Sequence, residues 1–500
     1  MMNNNKVKNN LIIGIGCQII TLILGILVPK TLLDNYGSEV NGLLTSVTNI
    51  YAYIAIVEAG VAAAACQALY KSTALGDRTQ TNAIMSAAHR YYRRTGFIYL
   101  CLIVAFAAIY PVFVRTEIAC STVILVILFN GLGNVVNYFF HGKYLILLKA
   151  DGKNYVRIAL ETLTNAAKQG VKIILISAGW DIVSVQFIAM LISFLQMLYV
   201  AYYINKHYSW INLQEKPDFG AISQSKHVFV HEINYLITSN IDVVLLTIFN
   251  SLKLVSVYSL YALLFGMINR VLRTLRDALE FKIAHAFHRD REAFLKLFEV
   301  YEVYYITFAF ALFTIVNYFI FPFLKLYTGG ITDINYIQEY LPTAFVLVNL
   351  LSVGRYPSDA MVHISGHFQQ TKNSAMIETI INLIVSVALV QRHGIIGTLL
   401  GTIVSSLYRT NYLILYINKK VIGRSVRGPY KCWCINFAMY CLIAYLNRFI
   451  VPELNTYVQI IAFCVPYSIG VLALYFIMIS MCTPAVFQYA LGVAKKVAKR

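Results

Sequence analysis

Charged side chains are scarce in this 500-residue chain. Asp, Glu, Lys and Arg make up 13% of it, against about 25% in an ordinary soluble domain. Acid is shortest of all: 23 Asp and Glu face 41 Lys and Arg, a net charge of +18. No Walker loop, Ser-His-Asp set or metal-spaced carboxylate cluster occurs, which argues against an ATPase or a self-contained hydrolase. The nine cysteines mostly lie inside apolar runs, where a thiol behaves as a small hydrophobe. Cys432 and Cys434 stand too much alone for a four-ligand zinc site. His363 and His367 have the i, i+4 spacing of a metal pair, but no catalytic Glu lies between them. Neither a metal nor another cofactor is expected. The N-terminal MMNNNKVKNN and the apolar run after it lack a small-x-small cleavage site, so they read as an uncleaved first helix.

Apolar sequence is what the chain has in abundance, with 59% hydrophobic residues, 36 Tyr and 29 Phe. A membrane crossing takes about 20 apolar residues. Spans are predicted near 11–29, 42–66, 93–114, 119–141, 157–178, 182–204, 228–249, 256–278, 300–323, 337–357, 373–391, 394–417, 432–450 and 457–481. The fold class is therefore an all-α polytopic membrane protein of about fourteen crossing helices. The basic residues fall in short patches between the runs, not in one face or tail. That argues against nucleic acid and for a positive-inside bias. With both termini cytoplasmic, the inner segments hold Arg90, Arg93, Arg94, Lys143, Lys149, Lys419, Lys420 and the closing Lys495 to Arg500. The outer loops keep only scattered bases such as Lys30, Arg115 and Arg392. Omitting the polar fifth span would invert every later loop, so it is retained. The outer loops are all short, and of the longest soluble stretches, 207–226 and 285–296, the first divides the first six helices from the next six. Chemistry, if any, belongs inside the bundle.

That fifth span, within Tyr155–Trp180, places Glu161, Asn165, Lys168 and Lys172 at i, i+4, i+7 and i+11. On a helix they share a narrow arc. A charge at the bilayer centre costs roughly 2.5–3.5 kcal/mol on insertion scales, so the arc should line a water-filled, mainly cationic cavity. Other ionisable groups fall inside predicted helices: Glu58, Asp242, Arg270, Arg273, Arg355, Glu378 and Arg409. Each also has a plainer reading. Arg270 and Arg273 would snorkel to the interface, and Glu58, Asp242 and Glu378 would be structural partners of nearby bases.

Several stretches, in order, resemble the bacterial oligosaccharide flippases of capsule and exopolysaccharide pathways, in the multidrug/oligosaccharidyl-lipid/polysaccharide exporter superfamily. They are LDNYGSEVNGLLTSVTNI (33–50), ALYKSTALGDRTQTN (68–82), LLKADGKNYV (147–156), SNIDVVLLTIFNSLKLVSVYSLY (239–261), FLKLYTGGITDINYI (323–337), RYPSDAMVHISGHFQQTKNSAMIETIINLIVS (355–386) and GIIGTLLGTIVSSLYR (394–409). The resemblance implies two six-helix lobes in a V plus two C-terminal helices. The N-lobe would be 1–206, an inner linker 207–227, the C-lobe 228–418, and the last two helices with a basic tail 419–500. It implies a non-enzymatic transporter of the bacterial cell membrane. Its substrate would be a polyprenyl-diphosphate-linked oligosaccharide, carried from the cytoplasmic to the outer leaflet by alternating access for capsule, exopolysaccharide or O-antigen synthesis. Lys168, Lys172, Arg270, Arg273, Arg355 and Arg409 would meet the diphosphate, with Asn165 among the sugar's partners. Glu58, Glu161, Asp242 and Glu378 would be ion-coupling or structural carboxylates. Partners would be membrane lipids, polysaccharide polymerase or export proteins, and a coupling sodium ion or proton. A cation-coupled drug or metabolite antiporter and a peptidoglycan-precursor flippase of the same superfamily would share this architecture. A membrane polymerase of lipid-linked sugars would need a large outer loop, which is missing.

Overall fold

The computed structural model describes residues 4–55, 61–221, 226–450 and 452–498. Among them there is no strand, and eight helices are long and apolar enough to cross a membrane. In a bilayer every backbone polar group must be satisfied within its own segment, and helices achieve this. The chain divides into two compact units, residues 1–256 and 257–500.

The first unit holds α1 (Asn4–Ile54), α2 (Val61–Leu75), α3 (Arg78–Phe113), α4 (Cys120–Val136), α5 (Gly142–Ala150), α6 (Asn154–Ser177), α7 (Ile182–His207) and α8 (Lys226–Phe249). A π-helical stretch, Asn137–His141, joins α4 to α5. The predicted first span and most of the second lie on α1, which bends at Gly37 instead of breaking for a loop. Gly37 has φ 79°, ψ −177°, a conformation essentially reserved for glycine. Helix α1 packs on α6 and α8, while α4 packs on α3 and α7. Asp77 caps α3 by accepting from the Gln80 N–H, and Asp181 caps α7 by accepting from the N–H groups of Val183 and Ser184.

Several buried polar groups in this unit find partners across helices. Tyr110 donates to Ser46 Oγ at 3.0 Å, and Thr247 Oγ1 reaches the same oxygen at 2.9 Å, which joins α3, α1 and α8. Asn41 Nδ2 donates to Ser256 Oγ at 2.7 Å. Close helix approach needs small residues. A Cβ on Gly42 would sit 1.8 Å from the carbonyl oxygen of Leu252. The segment 208–221 folds back on the start of α3: Arg78 lies 5.3 Å over the Trp210 ring, and Gln80 Nε2 donates to Asp218 at 2.9 Å.

The second unit holds most of α9 (Leu252–Arg289), then α10 (Arg291–Tyr327), α11 (Leu341–Gly354), α12 (Tyr356–Ser365), α13 (Phe368–Tyr416), α14 (Arg427–Leu446), α15 (Tyr457–Cys482) and α16 (Pro484–Ala498). The predicted spans 373–391 and 394–417 are two arms of α13, reversed at Gly394 (φ 53°, ψ −126°) with no loop between them. The arms lie flush because Gly397 and Gly401 face Leu389 and Ser386. A Cβ on Gly397 would stand 2.5 Å from the Leu389 carbonyl oxygen. Helix α10 is the hub, packed by α11, α14, α15 and α16. Its buried Glu302 pairs with Arg424, whose guanidinium lies 5.0 Å over the Phe298 ring. Phe265, Phe310, Phe313 and Phe345 fill the core beside it. The basic tail also becomes helical in part, as α16.

Candidate functional site

Helix α6 is amphipathic in an inverted sense. Leu163 is 61% exposed and Ile174 67% exposed, so its open face is apolar and suited to lipid. The polar stripe runs along the opposite side. The helix stops at Gly179 (φ 79°), where the Trp180 N–H closes back onto the Leu175 carbonyl at 3.1 Å, the reversal that a glycine favours at a helix end. Tyr36 of α1 donates to the Trp180 carbonyl and fixes that end.

Along the stripe, Glu161 is taken by Arg157, one turn before it, at 2.9 Å. Asn165 is exposed. Lys168 and Lys172 are half-buried, and neither has a carboxylate within ion-pair distance among the described residues. Lys168 lies nine residues before the end of α6, about 14 Å of helix rise. Like charges one turn apart disfavour a helix by a few tenths of a kcal/mol. The two ammonium groups stand one turn apart with no carboxylate to balance them among the described residues.

The second unit uses its cations differently. Arg355 occupies the joint between α11 and α12, and its Nη1 donates to Glu378 Oε1 on the first arm of α13. Its Nε lies 3.4 Å from Asp359 Oδ2. Arg409, on the second arm, stands 3.7 Å from Glu378 Oε2 and donates to the Thr371 carbonyl at 3.1 Å and to Ser374 Oγ. Glu378 and the Arg409 side chain are each 7% accessible, and the Arg355 side chain 18%. Two guanidinium groups thus meet two carboxylates, and the cluster is neutral. Desolvated charges are held only when so matched.

The structure therefore brings Arg355, Glu378 and Arg409 together, and places Lys168 and Lys172 side by side in the other unit. Arg270 and Arg273 are exposed on α9. Asp242 is buried on α8. Glu58 lies outside the described residues. Sequence reasoning did not single out Asp359, Thr371 or Ser374 as partners of the arginines. The i, i+4 spacing of Arg355 and Asp359 was the one available signal.

No known family's sequence model matches the chain, and no curated protein matches it in sequence. Solved structures do match. A lipid II flippase, MurJ, in an inward closed conformation superposes with a TM-score of 0.67 at 14% identity, over 95% of this chain and 100% of that one. A multidrug resistance MATE family transporter of the MOP superfamily matches in its inward-facing conformation with a TM-score of 0.56 at 14% identity, over 80% of this chain and 95% of that one. An outward-facing structure of that transporter family gives 0.51 at 15% identity, over 84% and 94%. The chain is a multi-pass membrane protein with the fold these transporters share.

Proposed function

We propose that the chain is a flippase of the bacterial inner membrane. It moves polyprenyl-diphosphate-linked oligosaccharide units from the cytoplasmic to the outer leaflet by alternating access, for capsule, exopolysaccharide or O-antigen synthesis. The observation that carries this reading is the unmatched Lys168–Lys172 pair, set deep on α6 of a transporter fold. A diphosphate must exchange water for cations to cross a bilayer, and charge-assisted hydrogen bonds from ammonium groups are the strong ones. Asn165 and Glu161 stand on the same stripe for sugar hydroxyls. Arg270 and Arg273 add exposed cations, whereas Arg355 and Arg409, already matched by Glu378 and Asp359, hold the C-lobe together. In this reading the lobes are 1–206 and 228–418, joined through 207–227. Asp242, with Glu58, is the candidate for a coupling sodium ion or proton. Polysaccharide polymerase or export proteins would receive the product.

Deletion of the gene should strand single lipid-linked repeat units facing the cytoplasm. The wild-type chain should restore export, and a Lys168→Met/Lys172→Met variant, though inserted and folded, should not. Full rescue by that variant would remove the lysines from the mechanism. Units stranded on the outer face would point to a polymerase instead. A second reading, a peptidoglycan-precursor flippase, is favoured by the likeness to MurJ. It predicts stalled cell-wall synthesis on depletion. A drug or metabolite antiporter predicts no change in any lipid-linked sugar.

A further inference from the structure

A second cationic feature lies in the first unit, away from the α6 stripe and independent of the transport reading. A cavity of about 450 Å³ opens among α3, the π-helical stretch, α5 and α7. His89 and Arg93, one turn apart on α3, form one wall, and Phe139, Lys143 and Tyr144 form another, with Met197 of α7 beneath. Phe139 is seated against Gly96, where a Cβ would meet its ring at 3.1 Å. The π-helical stretch Asn137–His141 shifts the helix register between α4 and α5. Such bulges often mark functional positions.

Lys143 is only 4% exposed, yet it has no carboxylate partner among the described residues. Its ammonium group donates to the Phe140 carbonyl at 2.9 Å and lies 4.6 Å from the centre of the Tyr144 ring. It stands beyond the apolar span Cys120–Phe140, and burial pushes its pKa down to about 8. His89 Nδ1 is buried with no hydrogen-bond partner. A buried ammonium and a buried ring nitrogen without counter-groups are costly, and an anion entering the cavity would satisfy both.

The depth of the cavity says what brings that anion. Arg93 lies four residues before Phe97, which is 63% exposed and begins the apolar, lipid-suited part of α3. That separation is about 6 Å, so the cavity opens at headgroup level. On α7 beside it Leu198 and Tyr202 are 59% and 61% exposed. Acyl chains can run along that flank while a phosphate turns inward. We propose that this cavity binds the phosphate headgroup of an anionic membrane phospholipid, held by Lys143, Arg93 and His89 and walled by Phe139 and Tyr144.

The test is native mass spectrometry of the full-length protein, titrated with phosphatidylglycerol or phosphatidylcholine. The wild type should retain phosphatidylglycerol selectively. Arg93→Gln, at an exposed position, should weaken retention roughly tenfold, as loss of a charge-assisted hydrogen bond implies. Lys143→Met should weaken it at least as much, and Lys168→Met/Lys172→Met should leave it unchanged. Inorganic phosphate at matched concentration should not displace the lipid. Equal retention of the two lipids, or indifference to both Arg93→Gln and Lys143→Met, would overturn the assignment. Complete displacement by inorganic phosphate would also overturn it, in favour of a soluble phosphate site.

Discussion

Glu378 is a position at which a single change should unsettle the second unit. Its two carboxylate oxygens serve Arg355 and Arg409 at once. Glu378→Gln keeps the volume and removes the charge, so no cavity confounds the result. Breaking a buried ion pair from one side costs about 3–5 kcal/mol, because the remaining charge is left unmatched. Here Arg355 keeps Asp359 at 3.4 Å, and Arg409 keeps its bonds to Thr371 and Ser374. The lower end, about 3 kcal/mol, is therefore expected. For a unit of this size that is a fall of roughly 6–12 °C in the melting temperature of the detergent-solubilised protein. Adding Arg409→Met removes the surplus cation, so the double variant should melt above Glu378→Gln alone. Melting of Glu378→Gln together with wild type, or strict additivity of the two changes, would refute the matched-cluster account.

Four further outcomes follow from named contacts. Lys168→Met/Lys172→Met should leave thermal stability unchanged or raise it by a few tenths of a kcal/mol, since a like-charge pair is relieved, while transport is lost. Gly354→Ala would bring a Cβ within 2.2 Å of the Trp433 ring, an overpacking worth about 1–3 kcal/mol in thermal melts. Gly42→Ala should destabilise more, because the obstacle is the Leu252 backbone, which cannot swing aside. Asp181, in the loop before α7, has its pKa lowered by hydrogen bonds from the Ser184 hydroxyl and then from the Ser184 and Val183 N–H groups. Its capping contribution is therefore complete above the unfolded carboxylate value of about 4 and fades as pH falls through the lower folded value. Asp181→Ala should remove that acid-range dependence in pH-resolved melting curves.

The all-α membrane class was legible because apolar runs of crossing length leave few alternatives, and the polar face of α6 because its four residues obey helical spacing. The bend at Gly37 and the reversal at Gly394 were harder to read. Each is one glycine at positive φ, and a lone glycine in an apolar run looks the same whether it turns the chain or lets helices touch. The pairing of Arg409 with Glu378 joins positions 31 residues apart, and only the α13 reversal brings them together. The cavity around Lys143 escaped notice because Arg93 and Lys143 read as ordinary inner-loop bases. Nothing in the sequence says that Lys143 is buried, whereas the i, i+4 spacing of Arg157 and Glu161 was a signal for their pairing.

The most direct test is a reconstituted flip assay. The purified chain is placed in proteoliposomes with a fluorescent polyprenyl-diphosphate oligosaccharide, and quenching of the label from outside reports which leaflet it occupies. Wild type should equilibrate the lipid between leaflets, and Lys168→Met/Lys172→Met, reconstituted equally well, should leave it on the side where it was placed, as the flippase reading requires. Equilibration by both proteins, or by neither, would contradict it.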